Sequence, residues 1–306
     1  MKYIYVKLYI ILCLSTLSGF SFAELTHQFS LKLSTSDIEY DNDSEAKNNY
    51  AEATVFFIPL IKSASLPYSR SAFYSRTGSV SLSATKSSWE GLNAVIGGRV
   101  LKEAETKHYS FNTFLANKNI PVWAELNYQH LDQMDYYFSN GTDIEFKSDS
   151  VKAVYFGTYI GESLSIYGFY SKQKDKTYGA GLVKLFDLSS IGFLEAKIEL
   201  SKTNRNYNDI RIVNDIDLDI PIFRMNERVG YFQLSYFPIP ATSLSLAYRQ
   251  VGFDSGHRKN HYYYADMNHY LTDALQLGIH YSHKDDLDWF SIGGYDVLGL
   301  NLGFDF

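Results

Sequence analysis

The chain has 306 residues, a formal net charge of −6 and a mean hydropathy of −0.20. Charged residues make up 20% of it, which is too much for a bundle of membrane helices, and no basic block indicates a nucleic-acid partner. Aromatic residues make up 16%, with 26 tyrosines, while there are only 6 prolines. This composition favours a sheet-rich protein.

The first 23 residues have the features of a secretory signal peptide. Two lysines precede an apolar stretch of about 13 residues, and Ser21-Phe22-Ala23 supplies a small-x-small cleavage pattern. We expect the mature chain to begin near Glu24 and residues 24–306 to form one domain. The single cysteine, Cys13, lies in this leader, so the mature chain would hold no disulfide. An uncleaved anchor is the alternative, but the apolar stretch is shorter than the ~20 residues that a helical span needs.

Apolar and polar residues alternate in one segment after another from residue 25 onward. The first segment places Leu25, Phe29 and Leu33 on one face. The pattern recurs at residues 80–84, 122–128, 164–170, 194–200, 232–236, 244–248, 275–281 and 298–306. Because side chains alternate between the faces of a strand, each segment has one apolar and one polar face. Segments of this kind are typical of transmembrane β-barrels, whose outward face meets lipid; a soluble β-sandwich or solenoid is the alternative.

The connections between these segments alternate in length. Those at 117–119, 161–162, 187–190, 238–242 and 271–274 are short, 172–176 is moderate, and 132–147, 204–226, 254–260 and 284–294 are long. Outer-membrane barrels alternate short periplasmic turns with longer outer loops, so this order places the C-terminus in the periplasm.

The N-terminal third is less regular. Residues 50–60 and 79–85 have strand character, residues 66–76 are consistent with a short helix or an irregular turn, and residues 92–100 with a strand or an outward hairpin. We therefore predict an all-β protein, a transmembrane antiparallel up-and-down β-barrel of about 14 strands. The number becomes 16 if residues 66–74 and 92–100 both pair.

The last strand ends on Phe306 with no tail after it. Many outer-membrane barrels finish on an aromatic residue, and this terminus resembles the signal read by the barrel-assembly machinery. We expect that machinery and outer-membrane lipids as partners.

One stretch resembles a motif of the general bacterial porin family of gammaproteobacteria. It comprises Val55-Phe56-Phe57-Ile58-Pro59-Leu60, Leu66-Pro67, Ala72-Phe73, Arg76 and Ser79-Val80-Ser81. The family has a glycine before the Leu-Pro pair and an acidic residue before Ala-Phe, where this chain has Ser65 and Ser71. The resemblance covers about 30 residues, and it implies passive diffusion across the outer membrane.

The polar faces supply the residues that would line a lumen. Charged side chains inside a pore tune its ion preference, although neighbouring charges can also simply pair across strands and stabilise the wall. The candidate pore-lining residues are Lys32, Glu125, Glu195, Lys197, Glu199, Arg249, His280 and Asp305.

Three other interpretations remain open. His280 and Ser282 lie on one face of a strand and resemble the dyad of lipid-hydrolysing barrels, in which a histidine activates a serine. The loops 132–147 and 204–226 could instead serve a surface binding or adhesion barrel. Asp215, Asp217 and Asp219, or the histidines 257 and 261, offer oxygen or nitrogen ligands but match no metal motif.

We therefore predict a bacterial outer-membrane channel for passive diffusion of small hydrophilic solutes or ions, with no catalytic residue, cofactor, metal or nucleic-acid partner. The sequence leaves open the lumen width, plugging, selectivity and oligomeric state. A homo-oligomer is compatible with it.

Overall fold

The computed structural model describes residues 26–40, 45–61, 65–90, 94–96, 99–138, 143–146, 149–173, 175–206, 224–253, 259–285 and 294–306. The signal-peptide prediction therefore lies outside the described residues. Within them the chain forms sixteen strands: β1 (Thr26–Tyr40), β2 (Glu45–Ile61), β3 (Ser79–Glu90), β4 (Ala94–Ile96), β5 (Arg99–Asn117), β6 (Ile120–Phe138), β7 (Asp143–Phe146), β8 (Asp149–Ile160), β9 (Leu164–Lys172), β10 (Lys176–Asp187), β11 (Phe193–Asn206), β12 (Arg224–Phe237), β13 (Thr242–Phe253), β14 (Lys259–Tyr270), β15 (Leu275–Lys284) and β16 (Tyr295–Asp305).

Fourteen of these strands form a closed antiparallel barrel, so the predicted fold and strand number are confirmed. Each wall strand pairs with its neighbour along the chain, and β1 closes the sheet against β16 through a register that runs from Ser30 opposite Asp305 to Tyr40 opposite Tyr295. The other two strands, β4 and β7, pair only with the extended ends of β5 and β6. The 16-strand alternative is therefore wrong, because β4 pairs only with the first residues of β5 and residues 66–74 do not pair as a strand.

The barrel has two different ends. At the turn end lie the C-terminus and the short connections 118–119, 161–163, 188–192, 238–241 and 271–274. At the loop end lie the strand ends that border the longer connections, as predicted. One expected loop is partly wrong: β6 continues to Phe138 and β7 follows within the expected loop 132–147, because β5 and β6 keep pairing beyond the rest of the wall. The short helical elements are a 3-10 turn (Tyr68–Arg70), helix α1 (Ser71–Tyr74) and a 3-10 turn (Ser189–Ile191).

The wall separates an apolar exterior from a polar interior. Large apolar side chains such as Leu200 (66% exposed), Leu246 (67%) and Phe156 (61%) point outward, while buried serines such as Ser235 and Ser243 alternate with them and face inward. Closing a two-faced sheet into a cylinder produces this separation. Among the described residues, no helix is both long and apolar enough to cross a bilayer.

Glycines on the inward face make room for large rings on the next strand. The Trp123 indole lies against Gly157, where an added Cβ would approach the ring to 2.5 Å. Its Nε1–H donates to Ser165 Oγ at 2.8 Å. The glycine therefore lets the indole lie close against the inner wall and reach Ser165 on β9.

Candidate functional site

Residues 65–78, between β2 and β3, fold into the lumen at the turn end, and we call them the plug segment. Pro67, with φ −58°, precedes the 3-10 turn and α1. The Ser71 hydroxyl donates to Pro67 O at 3.1 Å, so the first turn is tied to its own start. The Tyr68 N–H donates to Pro240 O at 2.9 Å, on the β12–β13 turn. The segment thus crosses the lumen from β2 and β3 to the far wall.

Phe73 anchors the plug segment in an aromatic cluster. Its ring centroid lies 6.0 Å from that of Phe114, 5.8 Å from Trp123 and 5.3 Å from Tyr159. The Tyr159 hydroxyl also donates to Phe73 O at 2.9 Å. Aromatic pairs at such distances add to the stability given by burial alone. These wall residues come from β5, β6 and β8, so one side chain of the plug contacts three strands.

Glu195 is the polar anchor of the plug segment. Its carboxylate lies 2.9 Å from Arg70 Nη2 and accepts a hydrogen bond of 2.8 Å from the Tyr74 hydroxyl. Only 2% of Glu195 is exposed, so both partners compensate a charge that would otherwise be costly to bury. Burial and then the Glu195 charge raise the pKa of Tyr74, which keeps that hydroxyl protonated as a donor.

Arg76 fastens the other end of the plug segment to the rim. Its Nη2–H donates to Gly161 O at 2.8 Å and its Nη1–H to Lys118 O at 3.4 Å. The guanidinium carbon lies 4.5 Å from the centroid of the Tyr159 ring. Since Gly161 and Lys118 belong to two short connections, the plug segment is held to the turn end by backbone acceptors as well as by side chains.

Two adjacent cavities, of about 360 and 410 Å³, occupy the lumen and share Tyr50 and Glu52, which are hydrogen bonded to each other. The first reaches the plug segment at Ser69 and Arg70. Its charged lining residues are Lys32, Glu52, Arg70 and Asp266. The second is lined mainly by hydroxyl and amide side chains, including those of Ser81, Ser83, Thr85, Asn112, Asn127 and Gln129. The lumen is therefore polar, with charges of both signs.

The register places all eight candidate pore-lining residues on the inward face. Lys32 lines the first cavity, Glu125 accepts a 2.9 Å hydrogen bond from Asn112, and the Arg249 guanidinium lies 5.4 Å from the Tyr262 ring centroid. His280 packs against Gly299, and Asp305 lies opposite Ser30 at the turn end. Their part in conduction stays a prediction.

The three pore-lining candidates on β11 do not simply pair with one another across strands. Lys197 contacts Glu199 of its own strand at 3.5 Å, and Glu199 also accepts a 2.8 Å hydrogen bond from Tyr167. Glu195 instead binds the plug segment. Lys197 and Glu199 therefore pair within one strand rather than across strands, whereas Glu195 joins two parts of the fold.

The His280–Ser282 pair does not form a catalytic arrangement among the described residues. The two positions lie opposite Asp266 and Tyr264 and face the lumen, because Tyr281 between them is outward and 43% exposed. No hydrogen bond joins His280 to Ser282 in this part of the chain. A dyad acting on membrane lipid would face the other way.

The remaining chemical candidates fall partly outside the described residues. The three aspartates 215, 217 and 219 and His257 lie there, as does the centre of the expected loop 204–226. Among the residues that are described, no group of three or more His, Cys, Asp or Glu side chains is placed to hold a metal ion.

No family model and no curated protein matches this sequence. Among solved structures, the outer membrane protein Omp33 of Acinetobacter baumannii aligns over 93% of this chain and 100% of its own, with 15% identity and a TM-score of 0.57. The chain shares the barrel fold of Omp33. The porin resemblance seen in the sequence is thereby confirmed as a resemblance of fold.

Two further structures align at lower similarity. CdiB from Acinetobacter baumannii has 11% identity and a TM-score of 0.47, over 90% of this chain and 60% of that one. The beta domain of the Bordetella autotransporter BrkA has 10% identity and a TM-score of 0.46, over 92% and 100%. At such similarity these alignments carry no argument about function, which rests on the site.

Sequence reasoning missed Glu52, Arg70 and Tyr74. Glu52 sits at an inward position of β2 and could have been found by extending the alternation used for β1. Arg70 and Tyr74 belong to the plug segment, whose contacts with Glu195 span more than a hundred residues. No local pattern indicates such a contact.

Proposed function

We propose that this chain is an outer-membrane channel for passive diffusion of small hydrophilic solutes, with the plug segment narrowing its periplasmic exit. The observation that carries the proposal is the pair of polar cavities that ends on the plug segment at Ser69 and Arg70. An apolar exterior that suits lipid and an interior that suits water are the two requirements of such a channel.

The orientation follows from the unequal ends of the barrel. Short connections face the periplasm in barrels of this class. The turn end, with its plug segment and Phe306, would therefore lie on the periplasmic side of the membrane. The leader over residues 1–23 would direct export, and Phe306 would be presented to the assembly machinery. We infer an outer-membrane location from these features together with the fold.

The plug segment is held in a way that allows it to move without opening the wall. Its contacts to the wall are made by side chains and single hydrogen bonds: the Glu195 ion pair, the Phe73 cluster, the apolar packing of Tyr74 and the hydrogen bonds of Arg76. The ladder between β2 and β3 begins beside the segment, at Phe56 opposite Ser79, and does not include it. Displacing the segment would therefore widen the exit and leave every strand pair intact. We regard the described arrangement as the narrow state of the channel.

The lumen charges support a weakly selective channel. Lys32 and Arg70 oppose Glu52 and Asp266 around the first cavity, and the second cavity offers mainly neutral hydrogen-bonding groups. Mixed charges give no strong field for one ion sign. The lining suits small polar solutes that exchange water for hydroxyl and amide contacts.

The test compares ion conductance in planar bilayers for the unaltered protein and a variant in which residues 66–77 are replaced by a short Gly/Ser linker. The proposal expects small stepwise conductance for the unaltered protein and clearly larger steps for the variant. Phe169→Ala is a matched control, because it removes an inward ring that stacks on Tyr155 and leaves the plug segment in place. Silent bilayers for both proteins, each verified as folded, would refute a channel.

No observation among the described residues specifically favours the hydrolase or the surface-binding alternative. A lipase or esterase assay on the unaltered protein, followed by Ser282→Ala, tests the first. Shortening the loops 132–147 and 204–226 tests the second, since loss of a binding activity with unchanged conductance would favour it.

A further inference from the structure

Six basic residues form an arc on the outward face near the loop end, and we call them the basic arc. They lie on strands β8 to β12 and on β14, about half of the circumference. The chain as a whole carries a net charge of −6, so this concentration does not reflect composition. The members are Lys152, Lys172, Lys176, Lys202, Arg228 and Lys259.

The strand register sets these charges directly against one another. Lys172 lies opposite both Lys152 and Lys176 in its two neighbouring strands. Lys202 lies opposite Arg228. Like charges that face each other across a ladder destabilise a sheet, and side chains on the lipid side cannot rely on bulk water to screen them. This arrangement is therefore stabilised if an anion lies between the lysines.

In the opposite half of the barrel, outward lysines form ion pairs with an acidic residue of the protein. There Glu105 forms ion pairs with Lys86 at 2.9 Å and Lys107 at 3.4 Å. None of the ion pairs resolved among the described residues includes a lysine of the basic arc. Among the described residues, resolved ion pairs therefore involve outward lysines of that half and none of the lysines of the basic arc.

A groove runs below the basic arc on the same outward face. Its volume is about 980 Å³, and Ala180, Gly230 and Gly252 form its floor beside Leu200. Lys202, Arg228 and Lys259 stand along its upper edge. Small residues leave room for a chain to lie against the wall, and the basic residues would face the head of that chain.

Exposed tyrosines mark the depth of the basic arc. Tyr178 lies directly opposite Lys202, and Tyr170, Tyr178 and Tyr263 are all more than 40% exposed on the outward face. Outward aromatic residues of membrane barrels sit at the boundary between hydrocarbon and headgroups. The basic arc is therefore at the level of the headgroups of the leaflet at the loop end.

We propose that the basic arc binds the phosphate groups of lipids in the outer leaflet, with an acyl chain of the bound lipid in the groove. Lysine ammonium and arginine guanidinium groups are the usual protein partners of phosphate. The inference rests on the proposed membrane location and is independent of whether the barrel conducts.

The test measures binding of a fluorescent diphosphorylated lipid A to the protein in neutral detergent, with the dephosphorylated lipid and inorganic phosphate as comparison ligands. The arc variant carries Lys172→Gln, Lys202→Gln and Lys259→Gln. The matched control carries Lys47→Gln, Lys86→Gln and Lys107→Gln, which removes three outward lysines from the other half. We expect the arc variant to bind on the order of 100-fold more weakly, at roughly fivefold per charge, and the control to bind like the unaltered protein.

A second variant with arginine at the same three arc positions separates charge from folding, and it should retain binding. Equal loss in the arc and control variants would overturn the proposal, because binding would then reflect overall surface charge. Equal competition by millimolar inorganic phosphate, or equal binding of the dephosphorylated lipid, would also overturn it. Conductance is recorded on the same preparations, so a silent barrel with intact lipid binding would refute the channel and leave this inference standing.

Discussion

At the scale of single residues, Glu195 joins the barrel wall to the plug segment. One carboxylate oxygen contacts Arg70 and the other accepts from Tyr74, in a site that is almost fully buried. Its neighbours Lys197 and Glu199 contact each other and the wall instead. Two glutamates four positions apart on β11 therefore have different partners: Glu195 contacts the plug segment and Glu199 contacts residues of the wall.

Glu195→Gln is expected to loosen the plug segment without unfolding the barrel. The amide still accepts from Tyr74 but loses the ion pair with Arg70, which destabilises the plugged arrangement by about 1–3 kcal/mol. Single-channel recording should then show longer or more frequent openings. Glu199→Gln is the control, because its contacts lie within the wall; equal dwell times in the two variants would contradict this role for Glu195.

At the scale of elements, the strands follow from the sequence and the plug segment does not. Alternation placed nine of the fourteen wall strands, since every residue on a two-faced sheet must suit either lipid or lumen, but it did not find β5 in the irregular N-terminal third. The same logic could not extend β6 to Phe138, because that stretch pairs beyond the belt, where no face is restricted. In the run of three tyrosines on β14 polarity does not alternate, so the sequence does not show which ring faces lipid: Tyr263 is outward and exposed, whereas Tyr262 lies inward beside Arg249.

The candidate site was predictable only in part, for the same reason. Inward positions such as Lys32 and Glu195 could be read from the period of two. The contact of Glu195 with Arg70 depends on how residues 65–78 cross the lumen, which is decided by packing of Phe73 against rings from three distant strands. Such a contact has no counterpart in local sequence.

Phe306 offers a test at the element scale of what the last strand contributes. Its backbone N–H donates to Phe29 O at 2.7 Å and its carbonyl accepts from Gln28 and Phe29, while 62% of the residue is exposed. Phe306→Ala keeps these backbone bonds, so the free energy of unfolding should change by less than ~1 kcal/mol. We expect assembly in cells to slow nonetheless, as pulse-chase detection of the heat-resistant folded form would show.

Phe304→Ala is the matched control for Phe306→Ala. Phe304 is the preceding outward ring of β16, with its centroid 6.4 Å from that of Phe306. Phe304→Ala should lower the free energy of unfolding in vesicles more than Phe306→Ala does, and it should slow assembly less. Equal delays in cells for the two variants would show that the terminal ring is not read separately.

At the scale of the whole molecule, the exterior belt should depend on a lipid environment. Leu246 is 67% exposed on the outward face, so Leu246→Lys would place a charge in hydrocarbon and lower the free energy of unfolding in vesicles by about 2–4 kcal/mol. Ala247→Lys, one position away and facing the lumen, should cost much less. Guanidinium titrations in vesicles measure the free energy of unfolding of both variants. An unchanged value for Leu246→Lys would contradict membrane insertion.

The pairing of β1 with β16 also constrains the order in which the molecule can form. Ser30 meets Asp305, so the last ladder joins the two extremes of the polypeptide and carries the largest loop-closure entropy of any pairing in the sheet. Sequential hairpins can form early because their partners are close along the chain. Until the final strand arrives, β1 has an unsatisfied edge that could recruit another chain, so the nascent protein is most vulnerable to aggregation just before the cylinder closes.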